Sequence, residues 1–210
     1  MTAAANKALV LKTFQHQPET EIAIVGLHGW TGDESALMPL VHSINLKSAK
    51  WFFPRAPYQA DNGTGYTWFS GTDETGWHYK KTWEGLDLLL ESIRQEGFFR
   101  ERIFLLGFSQ GATLCMEYGV RLNFPLGGLI PIAGFIKKEE KLNREATMES
   151  TKTPVLLLHG QEDKIVTPEG SKKAYEFFLK RGHPVWLELY RAGHKIPLKA
   201  AVIIRDFINK

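Results

Sequence analysis

Residues Arg102–Tyr118 read RIFLLGFSQGATLCMEY, and this stretch decides the fold. Ile103–Leu106 is an apolar run of strand length. It leads into the turn Gly107-Phe108-Ser109-Gln110-Gly111, after which Ala112, Leu114, Cys115 and Met116 begin a helix that is apolar on most sides. Strand, G-x-S-x-G turn and helix together make a nucleophile elbow, a sharp bend that lifts a serine hydroxyl above the end of a sheet. The bend requires small residues two before and two after the serine, because a Cβ at Gly107 or Gly111 is expected to collide where strand and helix cross. The turn also sets the Gln110 amide at a helix N-terminus, where unpaired N–H groups and the helix dipole favour a negative oxygen. One segment therefore offers a nucleophile, Ser109, and one anion-binding amide.

Working outward, the flanking chain alternates strands with helices. Ala8–Phe14 has mixed character and suits an edge strand. Glu21–His28 (EIAIVGLH) is a continuous apolar run bounded by Gly29, the pattern of a strand buried on both faces of a parallel sheet. Beyond Gly29-Trp30-Thr31-Gly32-Asp33, the residues Ala36, Leu37, Leu40, Val41 and Ile44 recur at helical spacing. Asp33 or Thr31 is the candidate cap, and the helix ends near Asn45. Trp51–Phe53 is a short strand stopped by Pro54. Pro57–Trp77 shows no usable period, and its aromatics argue for a packed loop. Trp83, Leu86, Leu90 and Ile93 mark an amphipathic helix over Lys80–Gln95, ended by Gly97. After the elbow helix, Gly127–Ala133 and Pro154–His159 read as further buried strands, separated by a polar, solvated connection over Lys137–Lys152 with room for a helical turn. Pro168 begins a helix to about Arg181, Val185–Tyr190 is the last strand, and Pro197 opens a C-terminal helix through Phe207. This order predicts an α/β fold with a mostly parallel central sheet covered by helices on both faces and no large lid.

Composition narrows the class. A chain of 210 residues suits one domain, 1–210. Basic residues exceed acidic ones only by 26 to 23, and they scatter in pairs such as Lys137-Lys138 and Lys172-Lys173, so no nucleic-acid partner is expected. Cys115 is the lone cysteine and lies in an apolar helix, which fits a core role and a reducing compartment. The N-terminal MTAAANKALV has no signal-like run and no 18-residue apolar stretch occurs, so no stable membrane insertion is expected and a cytoplasmic location follows.

A serine hydroxyl needs a base, and the base needs an orienting carboxylate. In open α/β sheets such groups come from loops at the carboxyl ends of strands. Asp163 lies four residues past the strand ending at His159, and His194 lies four past the strand ending at Tyr190. His16, His42, His78 and His183 fall in segments that read as surface. His28 and His159 end strands, where they suit hydrogen bonds to neighbouring backbone. Asp87 and Asp206 are on helices, and Glu162 is the alternative to Asp163. A second oxyanion donor is expected from the loop after the first central strand, where Gly29 and Gly32 let backbone approach an oxygen closely; the candidate is the Trp30 amide.

The chain resembles the carboxylesterase/phospholipase family of α/β-hydrolases, a group that includes acyl-protein thioesterases and small serine esterases. The resemblance rests on LHGWTGDE (27–34), PRAP (54–57), YTWF (66–69), GFSQG (107–111), HGQEDKIV (159–166) and AGHKIP (192–197). These run in the family's order over nearly the whole chain. The resemblance implies a Ser109–Asp163–His194 triad and an oxyanion hole made by the amides of Trp30 and Gln110.

Residues and resemblance lead to one expected reaction, hydrolysis of a carboxylic ester of short to medium acyl chain through an acyl-enzyme on Ser109, with thioesters and lysophospholipids as related substrates. No cofactor and no metal is expected; the partner is a small-molecule substrate, and the chain is a monomer or homodimer. Trp68, Phe69, Phe135, Ile165 and Ile196, with Trp30, are expected at an apolar acyl pocket. A non-catalytic α/β-hydrolase-fold protein used for ligand binding or interaction is the competing class. Peptidase and dienelactone hydrolase are further reactions on the same fold.

Overall fold

The computed structural model describes residues 8–72 and 74–210. In chain order the elements are β1 (Leu11–Gln15), β2 (Ile22–Leu27), α1 (Met38–Ile44), β3 (Ala49–Pro54), the two short hairpins β4 (Tyr58–Gln59)/β5 (Tyr66–Thr67) and β6 (Ser70–Thr72)/β7 (Gly76–His78), then α2 (Lys80–Gln95). They continue with β8 (Ile103–Phe108), α3 (Gln110–Gly119), β9 (Gly128–Ile132), α4 (Glu139–Glu145), β10 (Val155–Gly160), α5 (Glu169–Lys180), β11 (Val185–Tyr190) and α6 (Leu198–Ile208).

Seven strands form one sheet in the order β1-β3-β2-β8-β9-β10-β11. Every neighbouring pair is parallel except β1–β3, which is antiparallel. The apolar runs of β2, β8 and β10 are buried along nearly their whole length because both faces of the sheet are covered. Their side chains divide by the two-residue period of a strand. Ala23, Val25, Leu27 and Leu105 face a core completed by α2, α3 and α5, whereas Ile22, Ile24, Phe104 and Leu106 face one completed by α1 and α6.

The strand order has a consequence for chemistry. From β2 the chain first moves outward to β3 and β1's edge, then returns through α2 to β8 on β2's other side and proceeds to β9, β10 and β11. The direction of winding thus reverses between β2 and β8, and the crevice beyond the carboxyl ends of these two strands is where an open α/β sheet receives ligands.

Several local expectations change. Helix α1 starts at Met38, later than Asp33 or Thr31 would set it; the Asp33 carboxylate accepts the Ser35 amide at 2.8 Å in a turn of its own, and Thr31 has φ 67°. The stretch 57–77 carries two hairpins whose strands are only two or three residues long, too short to leave a sequence period. The polar connection 137–152 contains α4, with Glu139 and Glu140 in its first turn where the helix dipole favours them. His183 is buried, its Nδ1 3.0 Å from the Thr153 carbonyl. Gly97 closes α2 at φ 102°, the left-handed conformation that ends helices. No helix among the described residues is long and apolar enough to cross a membrane.

Candidate active site

Ser109 stands at the carboxyl end of β8, the central strand, with φ 54° and ψ −114°. This conformation is costly for any residue with a Cβ, by about 1–3 kcal/mol, and is held by its surroundings. The Ser109 amide donates to the Ile132 carbonyl of β9 at 2.9 Å, and its carbonyl accepts the Ala112 and Thr113 amides at 3.0 and 3.1 Å. A Cβ on Gly107 would lie 2.1 Å from the Gly111 carbonyl oxygen, and one on Gly111 would lie 2.0 Å from that of Leu27. At Gly107 strand and helix cross at glycine-only distance, as expected, whereas Gly111 is held to glycine by the end of the neighbouring strand β2 rather than by that crossing. Ser109 occupies the N-cap position of α3, yet its hydroxyl makes no capping bond.

The loops after β10 and β11 are laced together. Glu162 N–H donates to the Ala192 carbonyl at 2.9 Å, and Gln161 N–H to that of Tyr190 at 2.8 Å. A Cβ on Gly160 would lie 2.4 Å from the carbonyl oxygens of both Ala192 and Gly193. This lacing brings Asp163 Oδ2 within 2.6 Å of His194 Nδ1. The other carboxylate oxygen accepts the amides of Ile165 and Val166 at 2.9 and 3.0 Å. Burial pushes the Asp163 carboxyl up, but the His194 bond and those two amides outweigh it and hold the group below the ordinary carboxylate value. An ionised Asp163 only accepts, so Nδ1 of a neutral His194 carries the proton and Nε2 presents a lone pair. The His194 ring lies against Phe108, centroids 4.8 Å apart, which sets it beside the residue preceding Ser109. Glu162 turns outward to Arg191 at 3.2 Å.

The two strand-end histidines brace loops. His28 Nε2 accepts the Ala56 amide at 3.0 Å, so Nδ1 carries the proton donated to the Gly29 carbonyl at 2.7 Å; burial lowers its pKa, consistent with that neutral form. His159 lies 2.8 Å from the Val166 carbonyl and 2.6 Å from Ser171 Oγ, with Asp163 Oδ2 at 3.4 Å. Loop 29–32 leaves β2 beside the elbow. The amides of Trp30 and Gln110 meet no intramolecular acceptor among the described residues.

The residues expected at an acyl pocket scatter. Trp68 is fully buried and its indole N–H donates to the His28 carbonyl at 2.8 Å, so it is a core residue rather than a pocket wall. Ile196 packs against the core on the α1/α6 side. Phe69 and Phe135 do line a cavity of about 400 Å³, together with Trp77, Tyr79 and Lys137. Phe135 and Ile165 line a second of about 430 Å³. Thr113, one helical turn after Ser109, donates its hydroxyl to the Phe135 carbonyl at 2.9 Å and so ties this wall to the elbow helix. Tyr79 and Lys137 carry no sequence signal for such a place; the aromatic content of 57–77 is the only hint for Trp77. Trp30 and Ile165 stand exposed.

A parallel sheet with helices on both faces, an elbow serine after its central strand, and a hydrogen-bonded aspartate–histidine pair from later strand ends define the α/β-hydrolase class. The family described as Phospholipase/Carboxylesterase matches residues 11–210, and the chain belongs to that family. It is 26% identical over 205 residues to carboxylesterase SOBER1 of Arabidopsis thaliana, covering 89% of both chains. It is 31% identical over 183 residues to acyl-protein thioesterase 1 of Kluyveromyces lactis, covering 80% of both. Among solved structures, esterase PE8 superposes with a TM-score of 0.85 at 27% identity, covering 97% of this chain and 99% of that one.

Proposed function

We propose that this protein is a serine hydrolase that cleaves carboxylic esters of short to medium acyl chain, with thioesters and lysophospholipids as related substrates, through an acyl-enzyme on Ser109. The observation that carries this reading is the 2.6 Å Asp163–His194 bond beside a serine held at φ 54°. His194 Nε2 takes the hydroxyl proton as Ser109 Oγ attacks the acyl carbon, and Asp163 holds the imidazole tautomer and stabilises its charged form. The oxyanion sits between the amides of Trp30 and Gln110, and removing one such donor typically costs on the order of 10² to 10³ in turnover. His194 then returns the proton to the leaving alcohol or thiol. Water, deprotonated by the same base, attacks the acyl carbon and releases the acid. We assign the acyl chain to the cavity where Phe69 and Phe135 supply apolar wall, a cavity that Glu117, Arg121, Lys137, Lys138 and Lys141 line as well.

We assign residues 1–210 to one domain, and the single, buried cysteine supports a cytoplasmic location. The chain acts as a monomer or homodimer on a small-molecule substrate. The test is a fluorophosphonate probe together with p-nitrophenyl butyrate and octanoate. Labelling and turnover that vanish together in Ser109→Ala are expected. Folded wild-type protein that neither labels nor turns over would refute the reading.

A further inference from the structure

The two amides proposed to hold the oxyanion come from different strand ends, Trp30 after β2 and Gln110 after β8. Sheet pairing sets the roots of these segments, but its last registered pair is Leu27 with Gly107. Beyond it, loop 29–32 and the first turn of α3 need some other spacer. The structure supplies one in residues 65–69.

This segment is a wedge bonded on both sides. Toward the β2 loop, Thr31 N–H donates to the Tyr66 carbonyl and Tyr66 N–H to the Gly32 carbonyl, each at 3.0 Å. Toward the elbow, the contact is the Gln110 side chain. Its Oε1 accepts the Trp68 amide at 3.0 Å, and its Nε2 donates to Thr67 Oγ1 at 2.8 Å. The Trp68 amide can only donate, so the carboxamide oxygen must face it and the NH₂ must face the hydroxyl. Thr67 Oγ1 passes its own hydrogen to the Phe69 carbonyl at 3.0 Å. The wedge seats closely: a Cβ on Gly65, at φ 66°, would lie 1.9 Å from the Thr31 carbonyl oxygen.

We infer that this wedge sets the gap between the two oxyanion amides, and that the Gln110 side chain and Thr67 are positioning residues for the hydrolysis. The inference rests on the reading of Trp30 and Gln110 as the oxyanion hole. Gln110 thereby acts twice, its amide facing the oxyanion and its side chain fixing where that amide points. Positioning matters most when charge develops, because a donor shifted out of place loses more of its interaction with the transition-state oxyanion than with the substrate carbonyl.

The experiment compares Gln110→Ala, Thr67→Val and Thr67→Ser with wild type on p-nitrophenyl butyrate, alongside inhibition by an alkyl trifluoromethyl ketone, whose serine adduct carries an oxyanion. Gln110→Ala keeps the backbone amide, so its loss should be smaller than deletion of a donor. A fall of about 10- to 100-fold in kcat is expected, with KM moving less than threefold and ketone affinity falling in step with kcat. Thr67→Val should reproduce this pattern, and Thr67→Ser should restore it. The double variant Gln110→Ala/Thr67→Val should be no worse than the weaker single one, since the two side chains act as a unit. Thermal melting reports whether each variant is folded; should Gln110→Ala fail to fold, the Val/Ser pair at Thr67 decides. Kcat and ketone affinity within twofold of wild type in the folded variants, or a change in KM alone, would overturn the inference. Ser109-dependent turnover of wild type with unaltered variants would sink this inference while leaving the proposed hydrolysis intact. Turnover that survives Ser109→Ala would sink both.

Discussion

Asp163→Asn isolates the tautomer argument, because the structure dictates how asparagine must sit. Asp163 Oδ1 accepts the Ile165 and Val166 amides at 2.9 and 3.0 Å. Two donors there force the carboxamide oxygen into that place and turn the NH₂ toward His194 Nδ1, at the position Oδ2 now holds 2.6 Å away. An NH₂ cannot accept the Nδ1 proton. His194 must shift that proton to Nε2, which then has no lone pair for the Ser109 hydrogen. A reversal of this kind costs on the order of 10⁴ in kcat, about 5 kcal/mol of transition-state stabilisation. Stability should fall far less, by about 1–2 kcal/mol, since both amide bonds survive and only the charge-assisted bond is lost. Steady-state kinetics on p-nitrophenyl butyrate and the rate of fluorophosphonate labelling should drop together while the urea midpoint moves little. Asp163→Ala, which abandons the two amides as well, should be the less stable variant. Asp163→Asn within tenfold of wild-type kcat, or Asp163→Ala as stable as Asp163→Asn, would refute the reasoning.

Other expectations follow from the same geometry. Ser109→Gly should abolish activity yet stabilise the fold by about 1–2 kcal/mol, because glycine accepts φ 54° without strain; a melting temperature raised by a few degrees over Ser109→Ala would be the sign, and equal values would remove the strain. The Glu34 carboxyl, bonded by Arg55 through two oxygens at 2.5 and 2.6 Å, is held down from 4.5 to about 2. A depressed folded pKa means that its stabilisation is complete above about pH 4.5 and is lost as pH falls toward 2. The stability gap between wild type and Glu34→Gln should therefore close over that interval in denaturant titrations, and a gap independent of pH would contradict the pairing. Burial pushes the Cys115 thiol up to about 12. Iodoacetamide at neutral pH should leave turnover intact and alkylate Cys115 only after unfolding, as mass spectrometry can show.

Much of the sheet was legible because the strands buried on both faces need apolar residues at every position. Glu21–His28, Gly127–Ala133 and Pro154–His159 each stand out for that reason, and the observed strands β2, β9 and β10 fall within a residue or so of them. The hairpins in 57–77 were not legible. Tyr66–Thr67 has no period to detect, and it is a strand only because Tyr58–Gln59 and Gly32 supply partners from outside it. Trp68 misled for a related reason: an aromatic residue in a long loop looks the same whether it faces a ligand or the His28 carbonyl. His183 looked like a surface histidine until the Thr153 carbonyl, from a distant part of the chain, proved to be its partner.

The sequence by itself determined the elbow and the candidates around it. The G-x-S-x-G spacing is legible locally, and the clash that demands Gly107 lies within the same five residues, whereas Gly111 is required by the Leu27 carbonyl of the neighbouring strand β2. The order Ser109, Asp163, His194 and the placing of each after its own strand are likewise linear facts. Only the tertiary structure decided that β2 lies next to β8, that the loops after β10 and β11 lace until Asp163 meets His194, and that residues 65–69 wedge between the two amide-bearing segments. Those outcomes depend on which surfaces bury against which and on where backbone donors find acceptors across the sheet. Such choices are made between residues far apart in the chain, and no local pattern records them.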